Sequence, residues 1–180
     1  MEKCRTLRPG GAGMNDRLEW CSRQKNGTRL IEPNENLTFA YLKKSEDAME
    51  AMHSVTSLEW KISAGYYSLY FSLYAVLMKI GIRSENHTCT CELMKVLLAG
   101  FFTLEECDLV EEARQARVET QYYVSSDIPE NFSGILIQQV PRFHVKCKGI
   151  SDALNERQIQ NLRETYRNLI DSGATPPSHS

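Results

Sequence analysis

A chain of 180 residues with 42% hydrophobic and 24% charged side chains has the length of one domain and an ordinary globular composition. It can bury a real core without covalent staples. The formal net charge of −2 excludes a molecule that attracts nucleic acid or anionic lipid through its overall field, so any RNA contact needs a local basic patch.

Residues 1–13 are basic, lack an apolar stretch of the secretory type and contain the Pro9-Gly10-Gly11-Ala12-Gly13 tract, which predicts a flexible leader; Met14 is a second candidate start. Six cysteines, at 4, 21, 89, 91, 107 and 147, are scattered without the spacing of a disulfide framework. The expectation is free thiols in a reducing cytoplasm. Asn-x-Ser/Thr matches at Asn26, Asn36, Asn86 and Asn131 carry no weight as glycosylation sites without an export signal.

A short helix is predicted from Asn15 to Gln24, closed by an Asn26-Gly27 turn. Pro33-Asn34 opens a second helix, with Leu37, Tyr41, Ala48, Met49 and Met52 as its apolar stripe. Ser57 can cap the next, which runs from Leu58 to Ile80 and is apolar nearly all round. Such a helix is buried on most sides. Its row of small residues, Ala64, Ser68, Ser72 and Ala75, invites another helix close. The segment is therefore placed at the centre of a bundle or on a homodimer seam. The uncharged run from Ile62 to Met78 is about the minimum for a membrane span, but four tyrosines, three serines and flanking Lys61 and Lys79 favour a core helix, and no membrane role is expected.

Gly81 is a candidate left-handed cap, followed by a loop over Ile82–Asn86. A helix is expected from His87 to Ala99, stopped by Gly100, and another from Leu104 to Tyr123, capped by Thr103. Gly134 to Val140 and Phe143 to Lys148, separated by Pro141, are β-prone and suggest a loop or small hairpin over 134–148. A final amphipathic helix is capped by Ser151 or Asp152 and ends near Ile170; the Pro- and Ser-rich tail 173–180 is expected to be disordered. The folded domain is thus placed at 14–172.

The run Trp60-Lys61-Ile62-Ser63-Ala64-Gly65-Tyr66-Tyr67-Ser68-Leu69-Tyr70-Phe71 resembles the central helix of HEPN proteins, with its Tyr-Tyr pair among small and large apolar residues. Ala75 to Ile82, and His87 opening the next helix, continue the likeness. Ala113 to Tyr123 is similar to the family's Arg-rich helix, with Arg117 and Tyr122 in place and Gln121 where that pattern has an acid. The resemblance covers about residues 35–125, with the last helix matched by position. It implies an all-α, antiparallel up-and-down bundle, commonly a homodimer. Its members include metal-independent endoribonuclease toxins paired with a small nucleotidyltransferase antitoxin, proteins of phage defence, and inactive RNA-binding modules. It implies no cofactor and no metal.

Active members use an arginine followed, with four to six residues between, by a histidine: the histidine moves a proton from the 2′-hydroxyl, and the arginine steadies phosphate charge. None of His53, His87, His144 and His179 has an arginine at that spacing; Arg83 and His87, with three residues between, are the best catalytic candidates. Arg114, Arg117 and Tyr122 are the candidate RNA-binding residues, the bland reading of the arginines being pairing with Glu111, Glu112 or Glu119. His87, Cys89 and Cys91 have a spacing poor for zinc. Tyr66, Tyr67, Tyr70 and Tyr74 suit either base stacking or a core. Tyr122 and Tyr123 are where a nucleotidyltransferase would attach a nucleotide if the resemblance extends so far. The expected function is a HEPN-like module contacting RNA or a nucleotidyltransferase. A metal-independent endoribonuclease and a scaffolding helical protein are the alternatives.

Overall fold

The computed structural model describes residues 14–122, 128, 129 and 131–171. Over these the chain is an all-α bundle of seven helices with one two-stranded ribbon. The leader, the tail and Tyr123 lie outside the described residues. In chain order come α1 (Met14–Arg23), β1 (Thr28–Leu30), α2 (Glu35–Ser54), α3 (Leu58–Ile80), β2 (Ile82–Ser84), α4 (His87–Val96), α5 (Leu104–Tyr122), α6 (Phe132–Ala153) and α7 (Glu156–Asp171). No helix among the described residues is long and apolar enough to cross a membrane.

α3 is the axis of the bundle. Its sequence has no solvated face, and α2, α5, α6 and α7 pack against it from different sides. Ile62, Leu69, Leu73, Val76, Leu77 and Ile80 are wholly buried. The surplus apolar surface that suggested a second copy is therefore largely covered within one chain. Leu58 and Trp60, in the first turn, remain exposed.

The small-residue row does what its size permits. On α2 the buried face runs through Thr38, Leu42, Ser45 and Met52, a line displaced from the expected stripe, and Leu37 is exposed. Ser45 then meets Ser68 and Ser72. The Ser45 hydroxyl donates to the Ser68 carbonyl at 2.9 Å and the Ser68 hydroxyl donates to the Ser45 carbonyl at 2.9 Å. Only helices in near contact can trade side-chain hydroxyls with each other's backbone. His144 of α6 closes the network: its Nδ1 lies 3.0 Å from Ser45 Oγ and 3.2 Å from Ser72 Oγ. Its Nε2 faces Glu46 at 3.6 Å. This interior is polar yet satisfied, the condition under which a buried network fixes packing.

The end of α3 is tied down more firmly still. Gly81 adopts φ 81°, the left-handed conformation that favours glycine. A Cβ there would also sit 2.6 Å from the Ile31 carbonyl oxygen and 2.8 Å from the Pro33 nitrogen. Arg163, buried on α7, donates to the carbonyls of Ile31 at 2.7 Å and of Ile80 and Gly81 at 3.0 Å. It supplies donors to carbonyls that the end of a helix leaves open. The segment expected as a loop after Gly81 is β2, antiparallel to β1 with Leu30 opposite Ile82 and Thr28 opposite Ser84.

Cap chemistry explains most of the other boundaries. Asn34 accepts from the Leu37 amide, and Thr103 and Glu106 form a reciprocal capping box at α5. Asn155 and Gln158 form another at α7, so that helix starts after Ser151, whose hydroxyl instead bonds back to Cys147 inside α6. Ser57 makes no side-chain cap bond.

Two expectations are corrected. The β-prone stretch 134–148 is not a hairpin but the middle of α6, with Pro141 inside it. Leu136, Val140, Phe143 and Cys147 fall on one helical face and bury against α3, and that packing overrides the β-branched propensity. The cysteines are not all free: Cys21 of α1 is bonded to Cys89 of α4, with their Cα atoms 5.7 Å apart. Scatter along the sequence says nothing of proximity in space. Cys91, Cys107 and Cys147 are buried free thiols.

The Cys21–Cys89 bond closes 68 residues of chain. Replacing both cysteines by serine, or reducing the bond, is expected to lower unfolding free energy by about 4 kcal/mol in denaturant titrations. Burial lowers the pKa of His144, with Glu46 acting the other way. The unfolded chain then takes up a proton that the folded chain refuses. Stability falls as pH drops below about 6.5, by up to about 1.4 kcal/mol per pH unit for this histidine, until the folded-state pKa is passed. His144→Asn should flatten that part of the curve; an unchanged slope contradicts the assignment.

Candidate functional site

The most concentrated chemistry outside the core lies where α3, the start of α4 and the second half of α5 converge. The turn leading to it is rigid for local reasons. Asn86 caps α4 by accepting from the amides of Thr88 and Cys89. Thr90 donates to Ser84 Oγ at 3.0 Å, and the Ser84 amide donates to the Tyr74 hydroxyl at 3.3 Å. From the other side the disulfide and an Arg17–Glu92 ion pair of 3.0 Å fasten α4 to α1. His87, the first residue of α4, is therefore held by neighbours two and three positions away.

The His87 ring stacks on Tyr70, with centroids 4.2 Å apart and planes at 26°. Its Nδ1 is hydrogen-bonded to the Tyr66 hydroxyl. Burial, then the charges of Arg117 and Arg114, lower its pKa, so the ring is neutral at pH 7. Burial likewise raises the Tyr66 phenol well above its usual value, keeping it protonated. If the imidazole donates its Nδ1 proton to the phenol oxygen, the Nε2 lone pair is left as a base; if the phenol donates, Nε2–H is a donor.

The two arginines differ. Arg114 is half-buried and forks onto Glu111, at 2.7 Å from one terminal nitrogen and 3.3 Å from Nε. The Glu111 hydrogen bond raises the Arg114 pKa, and although burial opposes ionisation of Glu111, the Arg114 guanidinium keeps that carboxyl below its usual value. The bland sequence reading of Arg114, pairing with Glu111, thus holds in geometry. Among the described residues no carboxylate pairs with Arg117. One terminal nitrogen donates to the Tyr67 hydroxyl at 2.8 Å and the guanidinium lies 5.4 Å from that ring's centroid. Its Nε is buried without a partner. Such a donor costs free energy unless something accepts from it.

The expected site residues are thus only partly brought together. His87 lies near enough to Arg117 and Arg114 to feel the charge of both. Arg83 does not share a helix face with His87, because α4 begins at His87 itself; it is an exposed residue of β2, ion-paired with Glu85. Tyr122 ends α5 and is 72% exposed. Cys89 is committed to the disulfide, and burial pushes the neighbouring Cys91 thiol up to about 12, so it is unreactive. Among the described residues no three His, Cys, Asp or Glu side chains gather as a metal site. The hydroxyls of Tyr66 and Tyr67 complete the site, although the sequence reading gives these tyrosines only as core or stacking residues; being adjacent, they point in different directions around α3, one to His87 and one to Arg117.

No family model matches this chain. No curated protein matches it either.

Proposed function

We propose that the protein is a HEPN-like RNA-interacting module whose phosphate-binding centre is formed by His87, Arg114 and Arg117. One observation carries this reading. Residues 27 to 30 positions apart in sequence converge on a half-buried spot that has an uncompensated guanidinium with an orphan Nε and a histidine that is neutral at pH 7. A phosphodiester oxygen satisfies that donor and balances that charge. The site is local, as the net charge of −2 requires.

A second reading, the metal-independent endoribonuclease, is favoured by one feature: with the Nδ1–H tautomer donating to the Tyr66 phenol oxygen, the neutral imidazole keeps its Nε2 lone pair as a general base near the charge of Arg117. The arginines whose charge acts on His87 are Arg117 and Arg114, on a different helix, rather than Arg83. Under either reading the protein works in the cytoplasm with its RNA, where the Cys21–Cys89 bond must resist the thiol pool. A homodimer and a nucleotidyltransferase partner acting on Tyr122 belong to the same reading through the resemblance.

In fluorescence anisotropy, a labelled single-stranded RNA should bind the wild type with a salt-dependent affinity. Arg117→Ala should weaken it about tenfold and reduce the log–log salt slope by about 0.7, the value for one lost phosphate contact on a single strand. RNA binding that ignores both arginines, or no binding at all, removes the proposal. Incubation of an RNA pool in EDTA separates the readings: cutting that is lost in His87→Ala and Arg117→Ala makes the protein a nuclease, whereas loss in His87→Ala and Arg83→Ala restores the sequence-adjacent pair. Light scattering at micromolar protein should report twice the chain mass; a monomer across moderate salt discards the homodimer.

A further inference from the structure

Beside the phosphate site runs a groove of about 570 Å³ between α2 and α3. Its floor and wall are aromatic. Tyr67 and Phe71 stack at 5.7 Å with planes 23° apart, and Trp60, 62% exposed, stands two turns before Tyr67. Ala48, Ala51 and Ala64 leave room around them.

The groove and the phosphate site share a residue. The Tyr67 ring lines the groove, while its hydroxyl accepts the Arg117 hydrogen bond. Arg117 therefore stands beside Tyr67, and Lys44 stands 5.6 Å from the Phe71 ring centroid, so both cations sit along the Tyr67–Phe71 half of the aromatic row and Trp60 forms its other end. The single acid on the lining, Asp47, is paired to Lys43 at 2.9 Å, so the exposed balance along the groove is cationic. Flat aromatic faces spaced along one helix, with cations beside two of the three rings, match a polyanion bearing flat bases: phosphates meet Arg117 and Lys44, and bases lie on the neighbouring rings, with Trp60 extending the row. A folded protein partner has no reason to require both, and a membrane would not fit a concave groove flanked by an acid.

We propose that the α2–α3 groove binds unpaired bases of single-stranded RNA, with Trp60, Tyr67 and Phe71 as the stacking platform. This rests on the phosphate site of the preceding section and extends it: Arg114 and Arg117 hold the backbone, and the groove holds bases next to it. No base edge is read, so the site tolerates sequence.

Trp60 reports directly on occupancy. The chain has two tryptophans, and Trp20 is on α1, away from this groove. In a Trp20→Phe background, Trp60 emission should be quenched as a short single-stranded ribo-oligonucleotide saturates the protein. An abasic oligonucleotide with the same ribose–phosphate backbone should bind more weakly and leave the emission unchanged. Trp60→Ala should weaken binding of the base-bearing oligonucleotide about tenfold, and Trp60→Phe should largely restore it. Both variants alter an exposed side chain, and unchanged far-ultraviolet circular dichroism and melting check the fold. If anisotropy shows binding that depends on Arg117 while Trp60 emission and Trp60→Ala are silent, the groove is refuted and the phosphate site stands. If the wild type binds neither oligonucleotide, both fail. If Trp60 emission instead changes with protein concentration alone, as light scattering shows a dimer, a second copy covers the groove and the inference is overturned.

Discussion

The constraint on which the structure depends is that α3 has no face fit for water. From Ile62 to Ile80 only Ala64, Tyr67, Phe71 and Lys79 escape full burial. An apolar helix of this length must be wrapped, and 180 residues can do that only by spending most of their helical content on the task. α2, α5, α6 and α7 are that wrapping. The cost of bringing α2 close enough is offset by serines rather than larger residues, because a hydroxyl both shortens the approach and satisfies itself on the opposing backbone.

Wrapping also decides where function can sit. An axial helix closed along its length can reach a site only through residues at the edge of the wrapping. Tyr67 is such a residue, and the buried Tyr66 beside it meets the edge through its hydroxyl: adjacent in sequence, they leave α3 about 100° apart, so one phenol goes to His87 and the other to Arg117. The site is thereby anchored on the most rigid element of the fold, while its charges come from shorter or more exposed helices. The ligation of α4 to α1 and the knot of Arg163, Gly81 and Ile31 at the far end of α3 hold both flanks of β2, the strand that feeds His87 into place.

Much of this was legible in the sequence. The all-round apolar run Leu58–Ile80, the cap residues Asn34 and Thr103 and the Gly81 terminus each carry a local rule that tertiary context did not overturn. The α2 face was misread because Ser45, a polar residue, belongs to the buried line while Leu37 does not; a hydrophobicity stripe cannot see a serine that is buried to bond a neighbouring helix. α6 was misread because Ile135, Ile137 and Val140 have strand-like side chains and Pro141 is a breaker, whereas the helical spacing Val140, Phe143, Cys147 emerges only across the proline. The disulfide and the nearness of His87 to Arg114 and Arg117 are long-range facts, and no window along the chain contains both partners.

The convergence also bears on why a sequence without the close arginine–histidine spacing can still assemble that pair of chemistries. When both residues share one helix, spacing is everything, because only residues about a turn apart face the same way. When they come from two helices, spacing is free, and register between the helices replaces it. Here that register is fixed by Tyr66 and Tyr67 on α3, each bonded to one partner, so the central helix sets where His87 and Arg117 stand relative to each other. Arg117 keeps a buried donor unused in this arrangement. A purely structural arginine at a helix interface finds acceptors for its buried nitrogens, as Arg163 does with three carbonyls. The contrast between these two arginines of one chain is the strongest physical reason to look for a ligand at the first and none at the second.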